Sequence, residues 1–572
     1  MVLQFGRFLC VLWLVDLLYC VPMITGVRTA LPQESVSPAR LIREAIQLAL
    51  QNDAEQATQR YYQALESPLN DSLANALFTD IKDLLIPSEI ASYKSASDKS
   101  QWLRRFWLRH DPTPATLANE RLVEHYLRLQ VARTRYRSPQ PRGYDDRGVI
   151  YVRYGPPDDR FISSMGEFTR DNESWVYHRL GDVSFDFIEY GGLFYLVDDI
   201  SKAIVPNENK LFSLVQLFEE RSNLNLAYQV TAANLRMVLQ SIRSGQAAPA
   251  MRVGDIIRQD YIARIDRVKQ SLPAHASTYR PREKPLKFVI SLASFGPEFE
   301  NLERIKSKEK GVLREKNTSR LELYYAILLK ELIANKLFDG SRPPYVFWDF
   351  AVYNKVHDLL LQKEDSLKLD LAAVLSQKDY VSQLTFFLQP DTYRIALDIR
   401  SPQTNQRGMM QMLVAVPEFP KDRLSMSDIE LASIVRPAAP EDREKGFIKN
   451  GLYVRPYPYR VIVRQQPIFV YFEIYGLFLD ESGTARYRVT YEVEQKGPSG
   501  VLALLSALNP FGGKKSSLSL SYEYTTDDRY VPQYTSLDFS GLEPGEHRLV
   551  VRVEDLVAGV GVEKKIKFKL VQ

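Results

Sequence analysis

At 572 residues the chain is too long for one hydrophobic core, and about four domains are expected. A composition of 45% hydrophobic and 25% charged residues is that of a globular protein and excludes a fibrous or disordered chain. The net charge of +4, from 74 basic and 70 acidic residues, gives no concentrated basic face of the kind nucleic acid requires.

The first 30 residues read as a signal peptide or N-terminal anchor. Arg7 supplies a positive start, and the apolar run from Phe8 to Ile24 is interrupted by Asp16 and Pro22. That run is short for a membrane span of roughly 20 residues, which favours a cleaved secretory signal. Leu17-Leu18-Tyr19-Cys20 leaves lipidation at Cys20 as an alternative, and an uncleaved anchor as another. Both cysteines, Cys10 and Cys20, lie in this segment, so a cleaved chain would hold no thiol, disulfide or thiolate metal site. The expected location is outside the cytosol, in the periplasm or cell envelope, with a membrane anchor if cleavage does not occur.

Residues 36–135 form a predicted helical region. Arg40 to Glu66 lacks Gly and Pro and reads as one helix. Trp102, Leu103, Phe106 and Trp107 make an apolar helical stripe. Asp111-Pro112-Thr113-Pro114 ends it, and Thr113 or Thr116 is the expected cap of the next helix. Residues 136–202 are a predicted small α+β domain. Within it, Val149 to Tyr154 alternates like a strand and stops at Gly155-Pro156-Pro157. Three more short strands are expected at Ser174–Tyr177, Phe185–Phe187 and Leu193–Leu196. Residues 203–285 read as a helical connector ending in a Pro-containing linker.

From residue 286 the apolar period becomes two, and the Tyr- and Phe-rich composition suits pleated strands. Two β-sandwich modules are expected, at 286–436 and 446–572, with Pro437 to Lys445 as the joint. A weak repeat supports them: Leu388-Gln389-Pro390-Asp391-Thr392-Tyr393-Arg394 matches Leu542-Glu543-Pro544-Gly545-Glu546-His547-Arg548. Tyr393 stands where an immunoglobulin-like sandwich places a corner tyrosine, and His547 replaces it in the second copy. The apolar stretch 501–511 reads as a short helix over a sheet edge, or as a loop that could meet a membrane or a partner.

The stretch GYDDRGVIYVRYGPPDD at 143–159 carries a resemblance to the bacterial GWxTD domain-containing proteins. Asp146-Arg147-Gly148, the apolar segment after it, and Tyr154-Gly155-Pro156-Pro157 are similar to that family's signature. Arg109 to Pro114, Asn119-Glu120 and Trp175-Val176-Tyr177 resemble its flanking segments, so the resemblance covers about 100–200. Gly148, Tyr154, Gly155, Pro156 and Trp175 are then framework positions of the motif. The Gly143-Tyr144-Asp145-Asp146 turn lacks the Trp and Thr for which the family is named. The resemblance implies an exported, multidomain protein of unassigned function, and no catalytic residues.

The chemistry is sparse. The six histidines show no metal-ligand spacing, and there is no Lys-Ser/Thr phosphate loop or Gly-x-Ser-x-Gly elbow. The strongest candidates are carboxylates at Asp145, Asp146, Asp158 and Asp159, with Asp198 and Asp199 further on. Such residues suit turns and caps, and could also hold a hard cation or act as acid and base. Arg147 and Arg153 beside them read as ion-pair partners, or as a fork for an anion. Trp102, Trp107 and Trp175 read as core, with ligand stacking as the sharper alternative. The expected fold class is therefore a multidomain α+β chain with a helical region, a small α+β domain and two immunoglobulin-like sandwiches. The expected function is that of an exported envelope interaction or structural protein. A hydrolase or cation-dependent binder using the Asp-rich turn is the alternative. No cofactor, metal or nucleic acid is expected. An envelope protein would be bound through sandwich loops or strand edges, and a membrane could be met through the N-terminal segment or 501–511.

Overall fold

The computed structural model describes residues 37–572 apart from 164, 246–251, 298–317, 334–342, 377, 421 and 496–517. The expected signal segment with Cys10 and Cys20, and the apolar stretch 501–511, lie outside the described residues. No helix among the described residues is long and apolar enough to cross a membrane.

Six helices open the fold: α1 (Pro38–Leu50), α2 (Ala54–Ala64), α3 (Asp71–Ile81), α4 (Pro87–Ser95), α5 (Lys99–Arg109) and α6 (Glu120–Arg135). The single helix expected over Arg40–Glu66 is two. Asn52 turns left-handed at φ 62°, and the Asp53 carboxylate then accepts the Gln56 N–H to start α2. The cap of α6 is Asn119, not either threonine; its side chain accepts the Leu122 N–H at 3.0 Å. The α5 stripe is buried as expected: Leu103, Phe106 and Trp107 face Tyr61 and Tyr126 in one core.

The strand expected at Val149–Tyr154 is a helix, α7 (Asp146–Tyr154). Asp145 is its N-cap and accepts the Arg147 N–H at 3.0 Å. The alternation was misleading because α7 is enclosed by α6, by the 3-10 turn Lys82–Leu84 and by the sheet that follows. Gly148, Ile150, Val152 and Tyr154 are all buried, so burial alternates without a strand. Capping and enclosure outweigh β-branched propensity here. An antiparallel sheet follows in the order β1 (Asp159–Ile162), β2 (Asn172–Tyr177), β3 (Val183–Tyr190), β4 (Leu193–Val197). Gly191 and Gly192, both at positive φ, make the tight β3–β4 turn.

Both faces of this sheet are covered. Trp175, Tyr177, Phe185 and Phe187 join the helical core. Ile188 packs on the other side among α8 (Lys210–Glu219), α9 (Leu226–Arg243), α10 (Val253–Ile256), a π-helical turn (Ile257–Ile262) and α11 (Ala263–Lys269). The 203–270 stretch is therefore a structural layer of the small domain and more than a connector. Buried Asp186 ties that layer to the sheet, accepting hydrogen bonds from Ser174, Tyr261 and, at 2.7 Å, Tyr228.

The sandwich strands are β5 (Lys284–Pro285), β6 (Phe288–Phe295), β7 (Ser319–Ile327), β8 (Tyr345–Tyr353), β9 (Leu359–Lys368), β10 (Tyr380–Leu388), β11 (Asp391–Ser401) and β12 (Gln406–Val416). Sheet β10-β7-β6 packs on sheet β5-β12-β11-β8-β9, with Leu323, Tyr325, Val352, Ile395 and Leu397 between them. The second sandwich holds β13 (Ser425–Met426), β14 (Glu430–Pro437), β15 (Ile448–Lys449), β16 (Leu452–Pro456), β17 (Val461–Val463), β18 (Ile468–Tyr475), β19 (Ala485–Gln495), β20 (Leu518–Thr526), β21 (Tyr530–Leu537), β22 (Gly545–Asp555) and β23 (Val560–Val571). Its sheets are β13-β18-β14-β16-β15, with β21 also on β18, and β17-β23-β22-β19-β20.

The weak repeat in sequence is a repeat in topology. β5-β12-β11-β8-β9 and β17-β23-β22-β19-β20 have the same order, each with a short parallel edge strand. Tyr393 donates its hydroxyl proton to the Gln389 carbonyl at 2.8 Å. In the second copy, His547 Nε2 makes the same reach, to the Glu543 carbonyl at 2.7 Å. The module boundary needs correction. β14, expected in the first module, pairs with β18 and β16 of the second. Pro437 to Lys445 is not a joint, because its 3-10 turn (Pro440–Lys445) lies between two strands of one sheet.

The two sandwiches stack into four sheet layers. Ala293, Phe295 and Tyr324 on β6 and β7 meet Ala432, Val435, Val454 and Tyr471 of the second module. A buried ionic layer lies in the same seam. Lys449 pairs with Glu322 and, at 2.7 Å, with Glu430. Arg320 pairs with Glu322 at 3.0 Å and Glu473 at 2.7 Å. The helical region docks on the first sandwich through a bidentate Arg105–Asp358 pair, both bonds at 2.7 Å, and through Tyr353, whose hydroxyl donates to the Pro114 carbonyl at 2.6 Å.

Candidate functional site

The Asp-rich segment disperses around α7. Asp145 is buried, and its carboxylate pairs with Arg147 at 2.7 Å. Arg147 also pairs with Glu173 at 2.8 Å, and its guanidinium lies 3.6 Å from the centre of the Phe194 ring. Asp146 pairs with Arg142 at 2.6 Å and accepts the Leu196 N–H at 2.9 Å, which fastens β4 to the helix. Arg153 meets none of these acids. It donates to the Asp83 carbonyl at 2.6 Å. Asp158 pairs with Arg179, while Asp159 and Asp182 flank His178 at 2.8 and 2.6 Å. The His178 imidazole is raised above its ordinary range by hydrogen bonds to Asp159 and then Asp182. Asp199 caps a 3-10 turn by accepting the Ser201 N–H at 2.9 Å. Among the described residues no three His, Cys, Asp or Glu side chains come together as a metal ligand set.

Glu173 is the residue that sequence reading missed. It sits on β2 with one carboxylate facing Arg147, Arg160 and the Trp175 indole N–H. Burial works against its charge, but the Arg160 and Trp175 hydrogen bonds and the Arg147 charge hold its pKa below the usual range. The signal available in the sequence was a carboxylate directly beside the expected strand Ser174–Tyr177 and its tryptophan. The arrangement is an ion-pair junction between α7 and the sheet.

The framework residues of the motif have steric roles. A Cβ on Gly148 would stand 2.5 Å from Tyr144 Cδ2, so only glycine lets the buried Tyr144 ring lie on α7. Gly155 ends the helix at φ +78° with the Arg128 guanidinium 3.0 Å from where a Cβ would be. The Gly155 carbonyl accepts the Tyr177 hydroxyl at 3.0 Å, the Pro156 carbonyl accepts Arg179 at 2.7 Å, and Tyr154 donates to the Pro273 carbonyl at 2.9 Å. Trp107 and Trp175 are fully buried, and Trp102 is half-buried against them; all three serve the core.

A cleft of about 470 Å³ opens where the helical region meets the first sandwich. Tyr62 and Arg104 form one wall, Tyr353 and Gln362 the other, and Asp111 lies at its floor. Burial, then the charge of Glu120, pushes the Asp111 carboxyl well above the carboxylate range, although the Thr113 N–H opposes this at 2.8 Å. The volume is that of a small-molecule site.

The architecture defines a multidomain α+β chain in which a helix-and-sheet domain is followed by two stacked β-sandwiches. Residues 48–195 match the model of the GWxTD domain, so that stretch of the chain carries a GWxTD domain. The match begins well before the expected 100, at α1, so the domain takes in most of the helical region. Among curated proteins none matches the chain. Two solved structures are similar at 11% identity. Fibronectin(III)-like modules of Clostridium thermocellum CbhA cover 44% of this chain and 86% of their own, with a TM-score of 0.12. Escherichia coli alpha-2-macroglobulin activated by porcine elastase covers 46% of this chain and 22% of its own, with a TM-score of 0.15. Scores this low carry no argument; the sandwich architecture rests on the sheets themselves.

Proposed function

We propose that this chain is an exported cell-envelope protein that holds or presents a partner and transforms no substrate. The observation that carries this reading is β20. Among the described strands it ends its sheet, pairing only with β19. Its sequence, Leu-Ser-Leu-Ser-Tyr-Glu-Tyr-Thr-Thr, has one charge, and Tyr522 is exposed. The corresponding edge of the first sandwich, β9, carries Lys363, Glu364, Asp365 and Lys368, which discourage strand addition. An edge with so few charges is a template for a partner strand. The dispersal of the acids around α7 supports scaffolding for the same segment. Photo-cross-linking from position 522 in fractionated cells tests the reading. A defined adduct in the envelope fraction, lost when Ser521→Lys charges the same edge, is expected. A chain found wholly in the cytosol, or one with no adduct, defeats it.

A further inference from the structure

Arg121, Arg221 and Arg320 are fully buried. Arg221 donates to Ser174 at 2.7 Å, to the Leu217 carbonyl at 2.9 Å and to Asn172. Arg320 pairs with Glu322 and Glu473. Arg121 differs from both. None of its three guanidinium nitrogens has a hydrogen-bond partner among the described residues. A guanidinium keeps its charge at neutral pH, and an uncompensated buried charge is strongly unfavourable.

The surroundings of Arg121 are basic. His125, one helical turn on, is buried, and neither ring nitrogen makes a hydrogen bond of good geometry among the described residues, although the Asp80 backbone is near enough to favour its protonation. His275 Nδ1 is also unpartnered, and its ring stacks edge-on to His110 at 4.4 Å. Burial and then the Arg121 charge depress both His125 and His275. The nearby carboxylate, Glu124, is already held by Arg128 at 2.6 Å, by the Thr278 N–H and by Ser277 at 2.8 Å. The segment through His275 is fixed over α6, with the Ala276 N–H donating to the Arg153 carbonyl at 3.0 Å and the Ala276 carbonyl accepting Arg128 at 3.0 Å.

We infer that Arg121, His125 and His275 form a binding site for a small inorganic oxyanion, of the phosphate or sulfate class, enclosed between α5, α6 and the 271–278 segment. A planar fork of donors matches two oxygens of such an ion. Neutral imidazoles can donate one N–H each to the remaining oxygens. The burial of Arg121 limits the ligand to a few atoms.

The test uses the full chain. Thermal unfolding is compared in phosphate, sulfate, acetate and chloride at one ionic strength. Dialysed protein is then acid-denatured, and released anions are measured by ion chromatography. Phosphate or sulfate is expected to raise Tm by about 5 °C over chloride, or to be released at one equivalent per chain. R121M is expected to lose both the response and the release, and R121K, which keeps a charge without the fork, to retain a weaker response. If R121M fails to fold, R121K and the wild-type release measurement decide. Equal Tm in all four salts with no anion released overturns the site, as does an undiminished response in R121M.

Discussion

Lys449 is the point at which the seam between the sandwiches can be broken with one substitution. Its ammonium lies between Glu322 and Glu430, and none of the three side chains is more than 2% exposed. K449M keeps the volume and removes the charge, leaving two carboxylates together in a dry layer. Deleting one member of a buried ionic group costs roughly 3–5 kcal/mol, because the remaining charges lose compensation. Burial, reinforced by the Glu322 charge, already pushes Glu430 from its ordinary 4.5 to about 7, although Lys449 opposes this. A raised carboxylate binds its proton more tightly when folded. Its contribution is therefore fully present below about 4.5 and is lost as pH rises through about 7. Burial also opposes the charge of Glu322, but Lys449 and then Arg320 hold its pKa down; without Lys449 it moves upward as well. The K449M deficit should thus be largest at pH 8 and shrink toward pH 5. Urea unfolding with hydrogen exchange at the β7, β14 and β18 amides reads the seam separately from the helical domain. A loss under about 1 kcal/mol at pH 8, or one that stays flat between pH 5 and 8, would refute the reasoning.

G148A should destabilise by about 1–3 kcal/mol in thermal melts, since the Tyr144 ring it strikes is buried and anchored to Asp83 at 2.9 Å. G254A, whose Cβ would meet nothing within 4 Å, should be neutral or stabilising by up to about 1 kcal/mol. D145A should cost about 2–4 kcal/mol, because it removes both the cap and the buried partner of Arg147, and D145N less, because Asn keeps the cap; calcium should shift the melting of neither, and a calcium-dependent rise in wild type abolished by D145N would revive the cation reading. Y393F should lose about 0.5–1.5 kcal/mol in urea, the value of the one hydrogen bond to Gln389.

The layers were legible in the sequence wherever one period dominated. The α5 stripe, the strands at 174, 185 and 193, and the paired sandwich turns follow from spacing and turn residues alone. Residues 149–154 were misread because α7 is buried on several sides, which erases the helical period. The boundary at 437 was misplaced because proline at the end of β14 looks the same before a linker and before a turn within a sheet. Asp145 and Arg147 do pair, as local sequence suggests, yet the third partner, Glu173, is 26 residues away from Arg147. The Arg121 cluster was invisible for a related reason. Arg121 and His125 look like an ordinary solvated helix face until α5 and the 271–278 segment close over them.

The cleft above Asp111 has one wall from α2 and α5 and the other from β8 and β9. That junction is held by Arg105 on Asp358, Tyr353 on the Pro114 carbonyl, Gln362 on the Ala115 carbonyl and Arg394 on the Leu108 and Asp111 carbonyls. The cleft therefore belongs to neither half alone: separating the helical domain from the first sandwich would take away one of its walls.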